Sequence, residues 1–180
     1  MRITKENTAG LIIDIQERLF PVMWNKDVLL KNCVTLIKGL YELQLPALIT
    51  QQYTKGLGET MEEIRNSIPD FTYVEKRDFS CCDEPAVQKE LKTLNKKNII
   101  ICGIEAHVCV MQTAVDLKAA GFNPVVVVDC ISSRNPENIE IAKERFRFEN
   151  ILMTSYESIL FELTRSSGAP EFKAISKLVK

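Results

Sequence analysis

The chain has 180 residues, of which 46% are hydrophobic and 26% charged, and its formal net charge is -1. This composition is typical of one globular domain, which we expect to span residues 1–180. The even charge balance argues against nucleic-acid and anionic-lipid partners, and the apolar runs are too short to cross a bilayer membrane. No signal-type apolar run follows the charged residues near the start of the chain, so we expect a cytoplasmic protein.

The six cysteines include no C-x-x-C pair, and their density is too low for a disulfide scaffold. We therefore expect reduced thiols. Zinc sites normally combine several Cys or His ligands at short spacings, whereas this chain has a single histidine, His107. We expect neither a metal ion nor another cofactor.

Short runs rich in Ile and Val alternate with helical patterns along the chain. This alternation predicts an α/β fold with a parallel sheet that helices cover on both faces. The predicted strands are 10–15, 47–50, 73–75, 98–102, 124–128 and 151–153. The predicted helices are 27–43, 84–94, 108–120 and one that Asn135 caps and Pro136 opens. The tail around 166–170 is predicted to dock late or to mediate assembly.

Three polar residues lie at the carboxyl ends of predicted strands, namely Asp14 near the end of the first, Lys76 after the third and Cys109 after the fourth. Ligands of open α/β sheets bind beyond the carboxyl ends of the strands, so these side chains are candidates for one site. Cys109 falls in the first turn of a predicted helix, where unpaired N–H groups and the helix dipole favour thiolate over thiol. Two structural alternatives stay open, because a free cysteine often packs as a small hydrophobe and an aspartate also suits an ion pair with lysine.

The three residues together predict nucleophilic chemistry. A carboxylate can accept the proton of the thiol, while a fixed ammonium stabilises the thiolate and keeps the carboxylate ionised. No histidine is needed for this arrangement. His107 lies two residues before Cys109, where it could bind substrate or pack as a neutral, hydrogen-bonded imidazole, and the sequence leaves both possibilities open.

Four segments stand out together, namely L-I-I-D-I-Q around Asp14, Lys76 ahead of Phe79-Ser80, G-I-E-A-H-V-C-V around Cys109, and V-V-V-V-D-C-I-S-S-R ending at Arg134. They resemble the isochorismatase-like cysteine hydrolase family, in its metal-independent branch with the isochorismatase domain-containing proteins. The resemblance covers nearly the whole chain. It implies a Rossmann-like three-layer α/β/α sandwich with a six-stranded parallel sheet, a catalytic triad of Asp14, Lys76 and Cys109, and a homo-oligomer.

The same resemblance implies further features of the site. The peptide bond between Ile104 and Glu105 is expected to be cis, and the backbone N–H groups of Glu105 and Cys109 are expected to form an oxyanion hole. Small planar substrates suit the family. The candidate substrate contacts are Phe20, Trp24, Gln52, Tyr53 and His107, although aromatic residues at such positions also serve as core or subunit contacts.

Metal-dependent nicotinamidases of this family carry an Asp and two His residues after the second strand, where this chain has Thr50-Gln51-Gln52-Tyr53-Thr54. This difference disfavours a metal-assisted reaction. Isochorismatase itself cleaves a vinyl ether and need not have the cysteine, so Cys109 favours hydrolysis of a small amide or related C–N substrate through a thioester.

Three alternatives remain open at this stage. The first is an isochorismatase-type ether hydrolase, and the second is a catalytically idle, oligomeric small-molecule-binding protein of the same fold. The third is a redox protein in which Cys81, Cys82 or Cys102 resolves an oxidised Cys109.

Overall fold

One sheet of six parallel strands forms the centre of the molecule, in the order β3-β2-β1-β4-β5-β6. The computed structural model describes residues 2–180. All six predicted strands are present, with ends that differ from the predictions by a few residues. The strands are β1 (Thr8–Ile13), β2 (Ala47–Gln52), β3 (Val74–Lys76), β4 (Asn98–Ile104), β5 (Asn123–Ser132) and β6 (Leu152–Thr154).

Helices cover both faces of this sheet and complete the three-layer α/β/α sandwich. Helices α1, α7 and α8 pack together on one face, whereas α4, α5 and α6 lie on the other. The helices are α1 (Lys26–Glu42), α2 (Thr54–Leu57), α3 (Glu62–Arg65), α4 (Pro85–Leu94), α5 (Met111–Ala119), α6 (Pro136–Phe148), α7 (Tyr156–Thr164) and α8 (Phe172–Leu178). Within residues 2–180, none of them is both long enough and apolar enough to span a membrane.

The predicted start of α6 is confirmed in detail. The Asn135 side chain accepts a hydrogen bond from the N–H of Glu137, and Pro136 occupies the first turn. Helix α4 begins in the same way, because the Glu84 side chain accepts from the N–H of Ala86 ahead of a first-turn proline. In both helices the cap satisfies a backbone donor that has no partner inside the helix.

The helix that follows β4 differs from its prediction. A π-helical turn (Ala106–Val110) comes first, and α5 begins only at Met111. The carbonyl of Glu105 accepts from Val108 N at 3.1 Å and also from Val110 N at 3.2 Å, and this second bond widens the turn. Cys109 therefore lies in the wide turn instead of the first turn of an α-helix.

The C-terminal segment docks onto the body of the domain. Ile175 of α8 is fully buried in the same apolar cluster as α1 and α7. Lys5 and Glu171 form an ion pair at 2.7 Å, which links this segment to the first residues of the chain. The sequence predicted late docking or assembly for the tail around 166–170. That stretch is mostly exposed, and α8, which follows it, docks into the core of the domain.

The strand order reverses between β1 and β4, which are neighbours in the sheet although two strands, β2 and β3, lie between them in sequence order. In open α/β sheets the crevice at such a reversal is the usual ligand site. Asp14 directly follows the end of β1 at this crevice. The turn that contains Cys109 follows the end of β4, next to it.

Gly103 allows these two strands to come together just below the crevice. It pairs with Ile13 and has a φ of +134°, and a Cβ atom added there would lie 2.1 Å from the Ile13 carbonyl oxygen. Only glycine accommodates both this backbone conformation and this close approach. The spacing between Asp14 and the Cys109 turn therefore depends on the absence of a Cβ atom at Gly103.

We predict that Gly103→Ala destabilises the fold by about 3 kcal/mol or more, because the methyl group would meet backbone atoms that cannot move independently. Chemical denaturation monitored by circular dichroism measures this loss. Gly168→Ala is the control, since its added Cβ would meet only the Ser166 hydroxyl, at 3.6 Å. Equal stability of the two variants would contradict the prediction.

Candidate active site

Asp14 is the first residue after β1, and its side chain is held in the interior. Its φ of 52° is left-handed, a conformation that aspartate tolerates better than most residues. The side chain is 0% exposed. Oδ1 accepts the Thr50 hydroxyl at 2.8 Å, and Oδ2 lies 2.7 Å from Nζ of Lys76.

Lys76 is the last residue of β3, and it is also 0% exposed, which is rare for lysine. Besides Asp14, its ammonium has Gln52 Oε1 at 2.6 Å and the carbonyls of Asp78 and Phe79 at 3.1 and 3.2 Å. An ammonium has three N–H donors, so these four acceptors are enough to occupy all of them. Lys76 is therefore positioned to act as a fixed charge.

Cys109 faces the same carboxylate and is 7% exposed. Burial and the charge of Asp14 raise the pKa of the Cys109 thiol to about 12, and a hydrogen bond with Asp14 adds to the rise while Lys76 opposes it. The sequence predicted the opposite direction from the position of Cys109 near a helix start. That prediction was wrong, because burial and a neighbouring negative charge outweigh the helix terminus.

The ion pair affects the pKa values of both Asp14 and Lys76. Burial raises the pKa of Asp14, although Lys76 and the hydrogen bonds to the carboxylate limit the shift. Burial alone would lower the pKa of Lys76, but the charges of Asp14 and Cys109 raise it above its usual range. At neutral pH we therefore expect a carboxylate, an ammonium and a neutral thiol.

The peptide bond between Ile104 and Glu105 is cis, as the resemblance implied. The side-chain oxygen Oε2 of Glu105 accepts from Arg134 N at 3.0 Å and from Arg134 Nε at 3.2 Å. These bonds tie the turn before Cys109 to the segment that links β5 to α6. The backbone of Glu105 is thus held from two sides, by this side-chain contact and by the π-helical turn.

His107 has both ring nitrogens engaged. Nδ1 lies 2.9 Å from the Ser133 hydroxyl, and Nε2 lies 3.3 Å from the side-chain nitrogen of Asn138. Since the Asn138 nitrogen donates, Nε2 is the acceptor, and Nδ1–H donates to Ser133 in the neutral tautomer. Of the two possibilities that the sequence left open, the structure places His107 as a hydrogen-bonded imidazole between the Cys109 turn and the start of α6.

The other predicted substrate contacts lie in different surroundings. Phe20 is buried in the core, and Trp24 is exposed at a cleft of about 260 Å³ between α1, β5 and α6. Tyr53 lies under the guanidinium of Arg77, 4.0 Å from ring centroid to Cζ. Gln52 reaches the triad through Lys76. The structure therefore brings Asp14, Lys76, Cys109 and Gln52 together, and it places Phe20 and Trp24 elsewhere.

Sequence reasoning did not identify Thr50 as a partner of Asp14. A signal was present, because Thr50 and Gln52 are two residues apart in β2 and so share one face of the strand. Polar residues at i and i+2 near the end of a buried strand predict a polar partner on that face. The two residues contact Asp14 and Lys76, respectively.

Cys81 is a second thiol beside this site. It is fully buried, its N–H donates to the Thr113 hydroxyl at 2.9 Å, and its sulfur lies 4.0 Å from the Thr50 hydroxyl. Burial and the charge of Asp14 raise the pKa of Cys81 to about 11. Within residues 2–180, no cluster of three or more His, Cys, Asp or Glu residues is arranged to hold a metal ion.

Comparison with known proteins identifies relatives along nearly the whole chain. Residues 8–157 match the family model of the isochorismatase domain. The secreted isochorismatase effector Isc1 of Phytophthora sojae is 35% identical, over 99% of this chain and 87% of its own length. Isochorismatase domain-containing protein 2A of Mus musculus is 33% identical, over 99% of this chain and 85% of its own length.

Two solved structures have similar folds. The MAR1 ribonuclease of Caenorhabditis elegans has a TM-score of 0.94 and 33% identity, covering 99% of this chain and 92% of its own. The Escherichia coli YcaC gene product, an octameric hydrolase of unknown specificity, has a TM-score of 0.92 and 23% identity, covering 99% and 90%. At that identity, the second likeness concerns the fold alone.

We predict that Asp14→Asn speeds the alkylation of Cys109 by iodoacetamide, because the charge that raises the thiol pKa is removed. Lys76→Met should slow it, because Lys76 lowers that pKa. Each unit of pKa changes the thiolate fraction about tenfold well below the pKa. Mass spectrometry of alkylated peptides between about pH 7 and pH 10 measures both rates.

Cys82 is the internal control in the same digest, since the charges that shift its pKa belong to Cys81, Asp116 and Asp83 instead of the triad. Slower alkylation of Cys109 in Asp14→Asn would contradict the arrangement described here.

Proposed function

Since the chain belongs to the isochorismatase family and has the fold of its hydrolases, we propose that it hydrolyses the C–N bond of a small amide through a thioester on Cys109. The observation that carries this proposal is the buried Asp14–Lys76 ion pair, at 2.7 Å, with the Cys109 thiol on the same carboxylate. This arrangement brings a nucleophilic sulfur, a carboxylate that can accept its proton and a fixed ammonium together at the edge of the sheet.

The first step forms the thioester. The Cys109 sulfur attacks the carbonyl carbon while its proton passes to Asp14, and the carbonyl oxygen becomes an oxyanion. Oδ2 of Asp14 is the proposed proton acceptor, because Oδ1 already accepts the Thr50 hydroxyl at 2.8 Å. Its contact with Lys76 at 2.7 Å is an ion pair that keeps the carboxylate ionised before attack.

The backbone N–H groups of Glu105 and Cys109 are the proposed donors to the oxyanion. In working oxyanion holes, one such donor contributes on the order of 3 kcal/mol to the barrier. When the intermediate collapses, the C–N bond breaks and the leaving nitrogen takes the proton from Asp14. Water then attacks the thioester, Asp14 accepts its proton, and the carboxylic acid product leaves as that proton returns to the Cys109 sulfur.

The burial of the triad favours a small substrate. Asp14 and Lys76 have no exposed surface, and the thiol is reached only through the small exposed part of Cys109. A planar primary amide can bring its carbonyl carbon to such a sulfur with few atoms beyond the reacting group. We therefore propose small amides as the substrate class, with no metal and no other cofactor in the reaction.

The C. elegans protein of similar fold is named a ribonuclease, so RNA should be tested as a substrate alongside the small amides. Phosphodiester cleavage commonly uses an unengaged histidine as acid or base. His107 has both ring nitrogens bonded to Ser133 and Asn138, and the chain has a net charge of -1. Both observations favour the amide substrate.

We predict that Cys109→Ser and Asp14→Asn each lower amide hydrolysis by about 10³-fold or more, because they remove the nucleophile and the proton carrier. Ammonia release from a panel of small primary amides measures the rate. Asp14→Asn then has opposite effects in two assays, with faster alkylation of Cys109 and loss of turnover.

Cys82→Ser is the matched control, because this half-buried thiol lies outside the triad. Full turnover by Cys109→Ser would overturn the proposal. Tight ligand binding without turnover in the unaltered protein would support the idle binding protein instead, and cleavage of a vinyl ether without amide hydrolysis would support the ether hydrolase.

We also propose that the chain forms a homo-oligomer. Large apolar side chains lie on its surface, including Trp24 at 56% and Phe148 at 80% exposure. Exposed apolar side chains that adjoin one another, as Trp24 and Val28 do in the lining of one cleft, are typical of surfaces that contact another molecule. The octameric E. coli YcaC gene product offers a precedent within the same fold.

Size-exclusion chromatography with light scattering should therefore give a mass that is a multiple of 20.5 kDa at micromolar concentration. A single species of monomer mass would contradict this prediction. The measurement is independent of the catalytic proposal.

A further inference from the structure

Gln52 contacts the triad, although no step of the proposed reaction uses it. Its Oε1 lies 2.6 Å from the ammonium of Lys76, a distance as short as the 2.7 Å from that ammonium to Asp14. The remaining acceptors of Lys76 are two backbone carbonyls at 3.1 and 3.2 Å. The two shortest contacts of the buried ammonium are thus one carboxylate and one side-chain amide.

The amide of Gln52 has a defined orientation. Its Nε2 donates to the carbonyl of Arg77, the residue after Lys76, so Oε1 is the atom that faces the ammonium. An exchange of the two amide atoms would direct N–H groups at an ammonium, which is unfavourable. Gln52 therefore contacts β3 at two consecutive residues, by accepting from one and donating to the other.

Gln16 holds the backbone of Gln52 in turn. Its Oε1 accepts from Gln52 N at 2.7 Å, and its Nε2 donates to the carbonyls of Gln52 at 3.0 Å and Gly58 at 2.8 Å. Gln16 is fully buried and lies two residues after Asp14. A closed set of contacts results, which runs from Asp14 to Lys76, on to Gln52 and Gln16, and back along the chain to Asp14.

An uncharged acceptor suits this position. The lysine side chain has several rotatable bonds, so a single carboxylate does not fix its ammonium. A second carboxylate would fix it but would compete with Asp14 for its charge and disfavour the thiolate further. The amide of Gln52 holds the ammonium beside Asp14 and Cys109 without adding charge.

We infer that Gln52 is a positioning residue that acts on Cys109 through Lys76, so that the triad works as a unit of four. This inference rests on the proposed function and assigns Gln52 a role other than substrate contact. The field of Lys76 lowers the pKa of the Cys109 thiol, and Gln52 keeps that field in place. Loss of the Gln52 amide should therefore have no effect on Cys109 once Lys76 is absent.

A double-mutant cycle on the alkylation rate of Cys109 tests this dependence without a known substrate. The variants are Gln52→Met, Lys76→Met and the double variant, which replace each polar group by an apolar chain of similar length. We expect Gln52→Met to slow alkylation about tenfold at fixed pH, as one unit of thiol pKa would. The double variant should react at the rate of Lys76→Met.

Gln51→Met provides the matched control. Gln51 is the neighbouring glutamine, fully buried where Gln52 is half-buried, and its amide contacts Glu59 and Thr60 instead of Lys76. Both glutamine variants should lower the melting temperature, whereas only Gln52→Met should move the pH profile of Cys109. If Gln52→Met does not fold, Gln52→Asn, whose amide is one methylene short of the ammonium, enters the same cycle and should also slow alkylation.

Independent effects of Gln52→Met and Lys76→Met, which multiply in the double variant, would overturn the positioning role alone. Equal pH profiles for Gln51→Met and Gln52→Met would overturn it as well. No effect of Lys76→Met on Cys109 would overturn both this inference and the proposed triad, so the two failures are distinguishable.

Discussion

The arrangement of the site depends on one ion pair that is closed to solvent. Transfer of a carboxylate and an ammonium out of water costs several kcal/mol for each group, and their attraction offsets this cost only when the remaining hydrogen-bonding capacity is also satisfied. The chain satisfies it with Thr50 on Asp14, and with Gln52 and two backbone carbonyls on Lys76. The side chains come from β2, from β3 and from the residue after β1, so the carboxyl ends of these three strands converge on the cluster.

This convergence explains why the sequence was informative about the site. Apolar runs followed by an isolated Asp or Lys mark the carboxyl ends of parallel strands, and in a parallel sheet all such ends lie at one edge. Asp14 and Lys76 could therefore be placed together from their positions alone, and a distance of 2.7 Å joins them in the structure. The order of the strands, the left-handed backbone of Asp14 and the π-helical turn at Cys109 left no such local signal, because they depend on contacts between distant segments.

The protonation of Cys109 shows where local reasoning fails. A position near a helix start favours thiolate when the rest of the environment is neutral and solvated. In the folded chain the thiol is buried and faces the Asp14 carboxylate, and these two effects raise its pKa to about 12. In the proposed reaction, the proton that the leaving group needs is therefore carried by the Cys109 sulfur until that sulfur attacks.

The complete burial of Lys76 also has a practical consequence for handling the protein. Reagents that acylate amines, whether cellular acetylation or coupling to an activated surface, react with exposed side chains such as Lys89 and Lys92, but they cannot reach an ammonium that has no exposed surface. The positive charge of Lys76 is therefore kept under conditions in which acylation removes the charges of the exposed lysines. Immobilisation through lysine should leave the electrostatics of the site intact.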